Sequence, residues 1–336
     1  MQQSTTLLLT GAGGFIGSHI TAAMAKHGCT VRTGARHALA NLPAGTQCVS
    51  CDLDDRNQLM TAMNGVDLVV HAAYGDEAAM KQQAENLLAA MSTAQISNLI
   101  AFSSVAVYGS RTGRIDEDDA PLPPLGAYAR SKSDCESLYR HWAAAEPSRR
   151  VIALRPGIVY GTGSKFWIDK MARRILSGGW GVFGRYGDGR AALIHIDDLT
   201  RQCLAARRIL SEPSRTELAP FEALNCVGPD SPRWNEFFQA LASALGQKPL
   251  RQWSPAELFF RQALAAPAKV IGSLGLRFAN SLALAPAAGE LALFGLDVQI
   301  AGEKARRLLG YEPNIGLSHG LALSGLHDVT RFHPKQ

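Results

Sequence analysis

The sequence predicts an α/β protein, a doubly wound parallel sheet followed by a smaller, mostly helical C-terminal portion. Three observations predict it. An apolar run at 7–10 ends in a glycine-rich turn that opens a helix-period segment. Short apolar runs then alternate with helical patterns through residue 104, the signature of a parallel sheet. Beyond Arg155-Pro156 that alternation loosens, glycines crowd 178–189, and the last third is helical pattern broken by Pro and Gly.

The first strand runs into Thr10-Gly11-Ala12-Gly13-Gly14-Phe15-Ile16-Gly17, and Phe15, Ile16, Ile20, Ala23 and Met24 keep helical spacing to about residue 27. Gly11 permits a tight turn, Gly14 lets backbone approach an anion, and Gly17 allows close helix–strand packing. The free N–H groups of the helix start then face a pyrophosphate. Gly11, Gly13, Gly14, Phe15, Ile16 and Gly17 are the dinucleotide-contacting residues expected here. A second strand is expected at 29–35 and a third at 47–53, with Asp54 or Asp55 capping a helix to about 64. A fourth strand at 66–71 leads into Ala72-Ala73. A helix at about 78–94 and a fifth strand at 99–104 follow. Gly11, Ala35, Asp52, Ala72 and Ser104 thus lie at carboxyl ends of strands, where such sheets bind ligands.

The Pro-rich 120–124 is a loop, 126–145 a helix and 151–154 a strand, and another strand-like piece ends in Ile194-His195-Ile196-Asp197-Asp198. Residues 255–296 are rich in Ala, Leu and Phe. A membrane span needs about 20 uninterrupted apolar residues, and Lys269, Arg277, Pro286 and Glu290 interrupt this one. A buried helical lid is expected in preference to a membrane-surface patch, and either suits an apolar substrate.

The 336 residues can bury a large core, and 46% hydrophobic with 19% charged content describes an ordinary globular protein. A net charge of +5 with scattered basic residues argues against a nucleic-acid partner. Cys48-Val49-Ser50-Cys51 has no second pair or His cluster to complete a zinc site, so no metal is expected and the thiols are assigned to a strand. The chain opens Met1-Gln2-Gln3-Ser4 without a basic or cleavable apolar leader, and a reducing cytoplasm fits both facts.

Tyr128 and Lys132 stand at i and i+4 on one helix face. A phenol is a poor base at neutral pH, and a nearby ammonium favours its ionised form. Phe102-Ser103-Ser104 places hydroxyls at the end of the fifth strand, and Ser104 is the candidate to hold a substrate oxygen beside Tyr128. Ser103 is assigned to capping alone.

Taken in order, these pieces resemble an extended short-chain dehydrogenase/reductase of the NAD-dependent epimerase/dehydratase superfamily, over nearly the whole chain. The resemblance rests on the glycine motif, Asp52-Leu53, His71-Ala72-Ala73, Ser103-Ser104 with Val107-Tyr108-Gly109, and Tyr128 with Lys132. It continues through Arg155-Pro156-Gly157-Ile158-Val159-Tyr160-Gly161, His195-Ile196-Asp197-Asp198 and Leu309-Gly310-Tyr311-Glu312-Pro313. It implies a Rossmann domain at 1–160, with 190–210 returning to it, and a partly interleaved substrate-binding portion at 161–336. It makes Tyr128 the acid/base, with Lys132 binding the nicotinamide ribose and lowering the phenol pKa, and Ser104 polarising the substrate oxygen. Asp52 and Leu53 contact adenine, Ala72 and Ala73 line the cofactor, and Pro156 joins that set. A homodimer through the helix bearing Tyr128 and the preceding long helix is compatible with it.

The departures narrow the reading. Ala35 occupies the position where NAD-binding relatives carry an acid, and Arg36 follows, so NADP is preferred over NAD, with Arg32 the weaker candidate. Val105-Ala106 replaces the Asp-Glu pair of nucleotide-sugar dehydratases, which speaks against elimination of water. Ala191 replaces an Arg that sugar-nucleotide enzymes use for the diphosphate, although Arg190 is adjacent. Met80-Lys81-Gln82-Gln83-Ala84 replaces the usual Asn-x-x-Gly-Thr helix opening. The expected activity is hydride transfer between NADP(H) and a ketone or secondary alcohol of a relatively apolar small molecule. The alternative is a nucleotide-sugar epimerase or ketoreductase. A non-catalytic dinucleotide sensor is disfavoured by the presence of Ser104, Tyr128 and Lys132 together.

Overall fold

A computed structural model describes residues 5–212, 218–273 and 284–332. The expected doubly wound sheet is present, with seven strands. They are β1 (Thr6–Thr10), β2 (Thr30–Ala35), β3 (Thr46–Ser50), β4 (Leu68–His71), β5 (Asn98–Phe102), β7 (Arg150–Pro156) and β10 (Phe221–Cys226), in the order β10-β7-β5-β4-β1-β2-β3. Every pairing in this sheet is parallel. The chain winds outward from β1 to β3, then crosses back to lay β4 on the other side of β1. That reversal makes a crevice between the ends of β1 and β4.

The central strands are buried on both faces, as covered parallel sheets require. Leu7, Leu8, Leu9, Val69, Val70, Ile100 and Leu154 have no exposed surface. One face packs on α2 (Arg56–Met63), α3 (Met80–Thr93) and α4 (Gly126–Ala144), through Leu59, Leu87, Met91 and Tyr139. The other packs on α1 (Phe15–Lys26), α6 (Ile196–Ser211) and the late helix α10 (Glu303–Leu309), through Ile20, Met24, Cys203 and Leu309. Each such buried aliphatic side chain contributes roughly 1.5–3 kcal/mol.

Several elements differ from expectation. The third strand ends at Ser50, because Asp52 turns the chain by accepting from Asp54 N at 3.1 Å, and Asp55 rather than Asp54 caps α2, accepting from Asn57 N and Gln58 N. The strand ending at His195 (β9, Leu193–His195) stays out of the main sheet and pairs with β8 (Ile158–Tyr160). The seventh main strand is β10, which was read as part of a helical third. A further pair joins β6 (Gly113–Ile115) to β11 (Val298–Ile300).

The rest of the chain builds a second core around aromatic rings. It comprises α5 (Lys170–Leu176), α7 (Trp234–Ala244), α8 (Pro255–Ser273), α9 (Ala288–Phe294) and α11 (Leu317–Leu323). Trp180, Phe183, Trp234, Phe238, Trp253 and Phe294 are all buried there, with ring centroids 4.7 Å apart for Trp234 and Phe294 and 5.0 Å for Trp180 and Phe183. The expected fully buried lid at 255–296 takes another form. Leu258 is buried against this core, whereas Phe259 and Phe260 stand in solvent, so the first half of α8, residues 255–265, lies on the surface. Residues 274–283 of that stretch lie outside the described residues. Among the described residues no helix is long and apolar enough to cross a membrane, and no cluster has the makings of a metal site. All six cysteines are free thiols; Cys51 is buried just past β3 and Cys48, on β3 itself, is half-buried.

Candidate active site

The nucleotide end of the crevice is made of backbone. Gly11 has φ +79°, and a Cβ there would lie 2.5 Å from Ala73 N and 2.6 Å from Ala72 O. The turn therefore touches the end of β4 directly. A Cβ on Gly17 would sit 2.1 Å from Gly11 O, so α1 reaches the strand only because that position has no side chain. Gly14 caps α1 without a side-chain hydrogen bond, and no acidic residue occupies the first turn. Phe15 and Ile16 open the helix half-buried, and Leu39 from the loop after β2 closes on Gly13. Free N–H groups, a positive helix end and no competing carboxylate suit a bound pyrophosphate.

Around this turn the other predicted positions come together at the carboxyl edge of the sheet. Ala35 ends β2, and Arg36 follows it, exposed and without a hydrogen bond or ion pair among the described residues. Arg32 is removed from candidacy: its guanidinium is bound to Ala62 O and Asn64 O at the end of α2, on the far side from the glycine turn. Asp52 follows β3 with its backbone N–H held by Gln58 Oε1, and Leu53 is buried. Ala72 N donates to Thr10 O at 3.1 Å, which fixes Ala72 and Ala73 beside Gly11. Pro156 closes β7, buried.

The reaction end is made of side chains. Ser104 follows β5 and caps the short 3₁₀ turn Val105–Tyr108, accepting from Ala106 N at 3.2 Å. Its hydroxyl lies on the side of the Tyr128 phenol and favours the ionised form of that phenol. One turn further along α4, Lys132 is buried and donates to Phe102 O at 2.8 Å. Its Nζ lies 6.0 Å from the Tyr128 ring centroid. Burial pushes the Lys132 ammonium down to about 8, and two of its three donors remain for a ligand.

The expectation that Lys132 draws the Tyr128 phenol down is not met in this arrangement. The Tyr128 residue is 37% exposed, yet partial desolvation of its hydroxyl pushes the phenol up; Ser104 opposes that, and the Glu77 carboxylate adds to the rise. The ammonium faces the tyrosine ring and Phe102 O instead. Ser103 has a buried hydroxyl with no partner among the described residues, while its N–H donates to Leu154 O, so it secures the strand end through backbone.

Sequence reasoning missed the supports of this site. Beneath α4, Arg155 makes a bidentate pair with Glu136, Nε to Oε1 at 2.8 Å and Nη2 to Oε2 at 2.6 Å. Arg155 Nη1 also donates to Tyr108 Oη, which donates to Asn225 Oδ1, and Asn225 Nδ2 donates to Ala301 O. All four side chains are buried. The signal was present: Glu136 repeats the four-residue step from Tyr128 to Lys132, and Arg155 interrupts an apolar strand. His71 is buried and bonded to Thr10 Oγ1 at 2.7 Å; desolvation, with Lys132 nearby, brings it down to about 3, so it is neutral. Asn86 donates to Leu53 O at 3.0 Å and ties α3 to the turn after β3; its signal is a polar residue on the apolar face of a helix. Tyr74, beside Tyr128, was passed over because it follows the Ala72-Ala73 pair in a loop.

Comparison with known proteins fits this geometry. Residues 7–216 match the family described as NAD dependent epimerase/dehydratase family, and the chain belongs to that family. It is 25% identical over 254 residues, 72% of this chain and 73% of the relative, to N-acetyl-alpha-D-glucosaminyl-diphospho-ditrans,octacis-undecaprenol 4-epimerase of Escherichia coli O157:H7. It is 27% identical over 342 residues, 93% of each chain, to 4-hydroxy-2-methyl-3-oxo-4-farnesyl-3,4-dihydroquinoline-1-oxide ketoreductase of Stigmatella aurantiaca. Among solved structures it shares its fold with one described as MoeE5 in complex with UDP-glucose and NAD. The TM-score is 0.71 at 23% identity, covering 97% of this chain and 98% of that one. The chain is an enzyme of the extended short-chain type, an NAD(P)-dependent oxidoreductase or epimerase.

Proposed function

We propose that this enzyme is an NADP-dependent reductase of a ketone on a relatively apolar small molecule, with Tyr128 as acid/base. The observation that carries the reading is the meeting of Ser104, Tyr128 and Lys132 at one end of a crevice whose other end is the bare glycine turn. The glycine turn, Arg36, Asp52, Leu53, Ala72, Ala73, Lys132 and Pro156 would hold the dinucleotide. A nicotinamide held there would supply hydride. Ser104 orients the carbonyl oxygen, Tyr128 donates its proton to that oxygen, and Lys132 holds the ribose with its free donors. The phenol is held toward its protonated form, which suits the donor role.

NADP preference is supported by the partnerless Arg36 beside a strand end that lacks an acid, since a guanidinium fork matches a 2′-phosphate. The apolar substrate is supported by three observations. Both relatives are named for molecules that carry a polyprenyl group. Ala191 is wholly buried in the aromatic core, and Arg190 lies 3.4 Å from Asp297 as an ion pair rather than free for a diphosphate. Residues 1–160 and 190–210, joined by the strand at 221–226 and the helix at 303–309, serve as the nucleotide domain in this reading, and the rest of 161–336 as the substrate portion. A cytoplasmic homodimer packed through α3 and α4 belongs to it too.

Thermal shift with NADPH, NADH, UDP and UDP-glucose tests it. NADPH alone should raise the melting temperature, because only ligands of the native state stabilise it. A shift with UDP or UDP-glucose would replace this reading with a nucleotide-sugar epimerase.

A further inference from the structure

A second tyrosine lies against the first. Tyr74, in the loop between β4 and α3, packs its ring edge-on to that of Tyr128, with centroids 5.6 Å apart and planes at 77°. Its hydroxyl donates to Glu77 Oε1 at 2.8 Å. Lys132 Nζ lies 5.8 Å from the Tyr74 centroid and 6.0 Å from that of Tyr128, so both rings face one ammonium. Tyr74 is nonetheless 59% exposed, far more than core packing of a tyrosine requires. An exposed aromatic ring held on a tether over a reaction centre has a use that burial does not explain.

Resting on the reading of Tyr128 as the acid, we propose that the Tyr74–Glu77 pair is a positioning device. It holds the Tyr128 ring in place and keeps its proton on, so that the site is set to give a proton to a carbonyl oxygen. In that step the carbonyl π bond breaks. Hydride from a reduced nicotinamide would form the new C–H bond and the Tyr128 proton the O–H bond, which would leave the cofactor oxidised by two electrons. The groups facing the phenol are the Ser104 hydroxyl from the end of β5, Lys132 from α4, and Tyr74 with Glu77 from the loop. Glu77 is the sole negative charge among them, and a carboxylate near a phenol opposes its ionisation. Tyr74 fixes where that charge sits.

The test labels tyrosine Cζ isotopically in the full chain and follows ionisation of Tyr128 by NMR. Its signal, one of seven, is identified by its absence in Tyr128→Phe. Near pH 10, the unperturbed phenol value, Glu77→Gln should raise the ionised fraction of Tyr128 about threefold, the equivalent of half a pKa unit. Tyr74→Phe keeps the ring, releases the carboxylate and should act in the same direction. The double variant should do no more than the larger single change, since both break one device. An unchanged fraction in Glu77→Gln overturns the proposal, as do effects that multiply in the double variant. Turnover separates this from the reading beneath it. If Tyr128→Phe keeps full activity, the acid/base assignment fails whatever the titration shows. If Tyr128→Phe is inactive and the titration does not move, this inference fails alone.

Discussion

The two ends of the crevice are built on opposite principles. At the nucleotide end, function depends on atoms that are absent: Gly11 and Gly17 leave no space for a Cβ, and Gly14 leaves helix N–H groups uncovered. At the reaction end it depends on side-chain atoms that are present and held in place by neighbours. There Lys132 is fixed by Phe102 O, and α4 rests on the buried Glu136–Arg155–Tyr108–Asn225 chain. The first end should fail when anything is added, and the second when anything is taken away.

The sharpest way to sharpen this contrast is Tyr128→Phe. Removing one oxygen should lower ketone-dependent NADPH oxidation by about 10²–10⁴-fold, the usual contribution of a positioned acid, and leave the thermal shift with NADPH in place. Next comes Glu136→Gln, which strands the Arg155 guanidinium in the interior. Chemical denaturation should report a loss of about 3–5 kcal/mol. Gly17→Ala attacks the other end. A methyl 2.1 Å from Gly11 O forces helix and strand apart, so a loss of about 1–3 kcal/mol is expected, together with loss of the NADPH shift. If Gly17→Ala binds NADPH normally, the nucleotide end is not limited by space and the comparison breaks.

Smaller effects follow from charges at the margins. Arg36→Ala should weaken NADPH about tenfold, the order of one charge-assisted hydrogen bond, while NADH affinity stays constant in a titration of both. In the aromatic portion, Arg174 and Lys170 clamp Glu290, and despite its burial their hydrogen bonds bring this carboxyl down to about 2. Its folded value lies below the unfolded value near 4.5. The stabilisation is therefore complete above about pH 4.5 and is lost as pH falls toward 2. Glu290→Gln should flatten the dependence of melting temperature on pH across that window.

Absence was also the easier thing to read. The glycine motif announced its geometry because few sequences place Gly at 11, 14 and 17 unless the backbone needs them. Strand alternation gave β1 to β5 and β7, and the four-residue step gave Tyr128 and Lys132. What stayed hidden depends on distant pairing. Arg155 and Asn225 meet only because β10 lies beside β7 in register, and a six-residue strand carrying Glu222 shows little period-2 signal. Arg32 and Arg36 look alike in sequence. Only the fold shows that one is spent on the end of α2 while the other stays free. The helix at 255–273 read as buried because its composition is apolar, but composition does not say which face is covered.

The Glu117 carboxylate illustrates how late this enzyme is completed during synthesis. It is buried between Arg155, which donates to its carbonyl, and α10, whose Ala305 N–H donates to its Oε1. Donor and acceptor are 188 residues apart in the chain. At about 5–20 residues per second, the ribosome needs on the order of ten to forty seconds to deliver that donor after the acceptor has been made. Until then the Glu117 carboxylate lacks the Ala305 N–H that meets it in the folded chain.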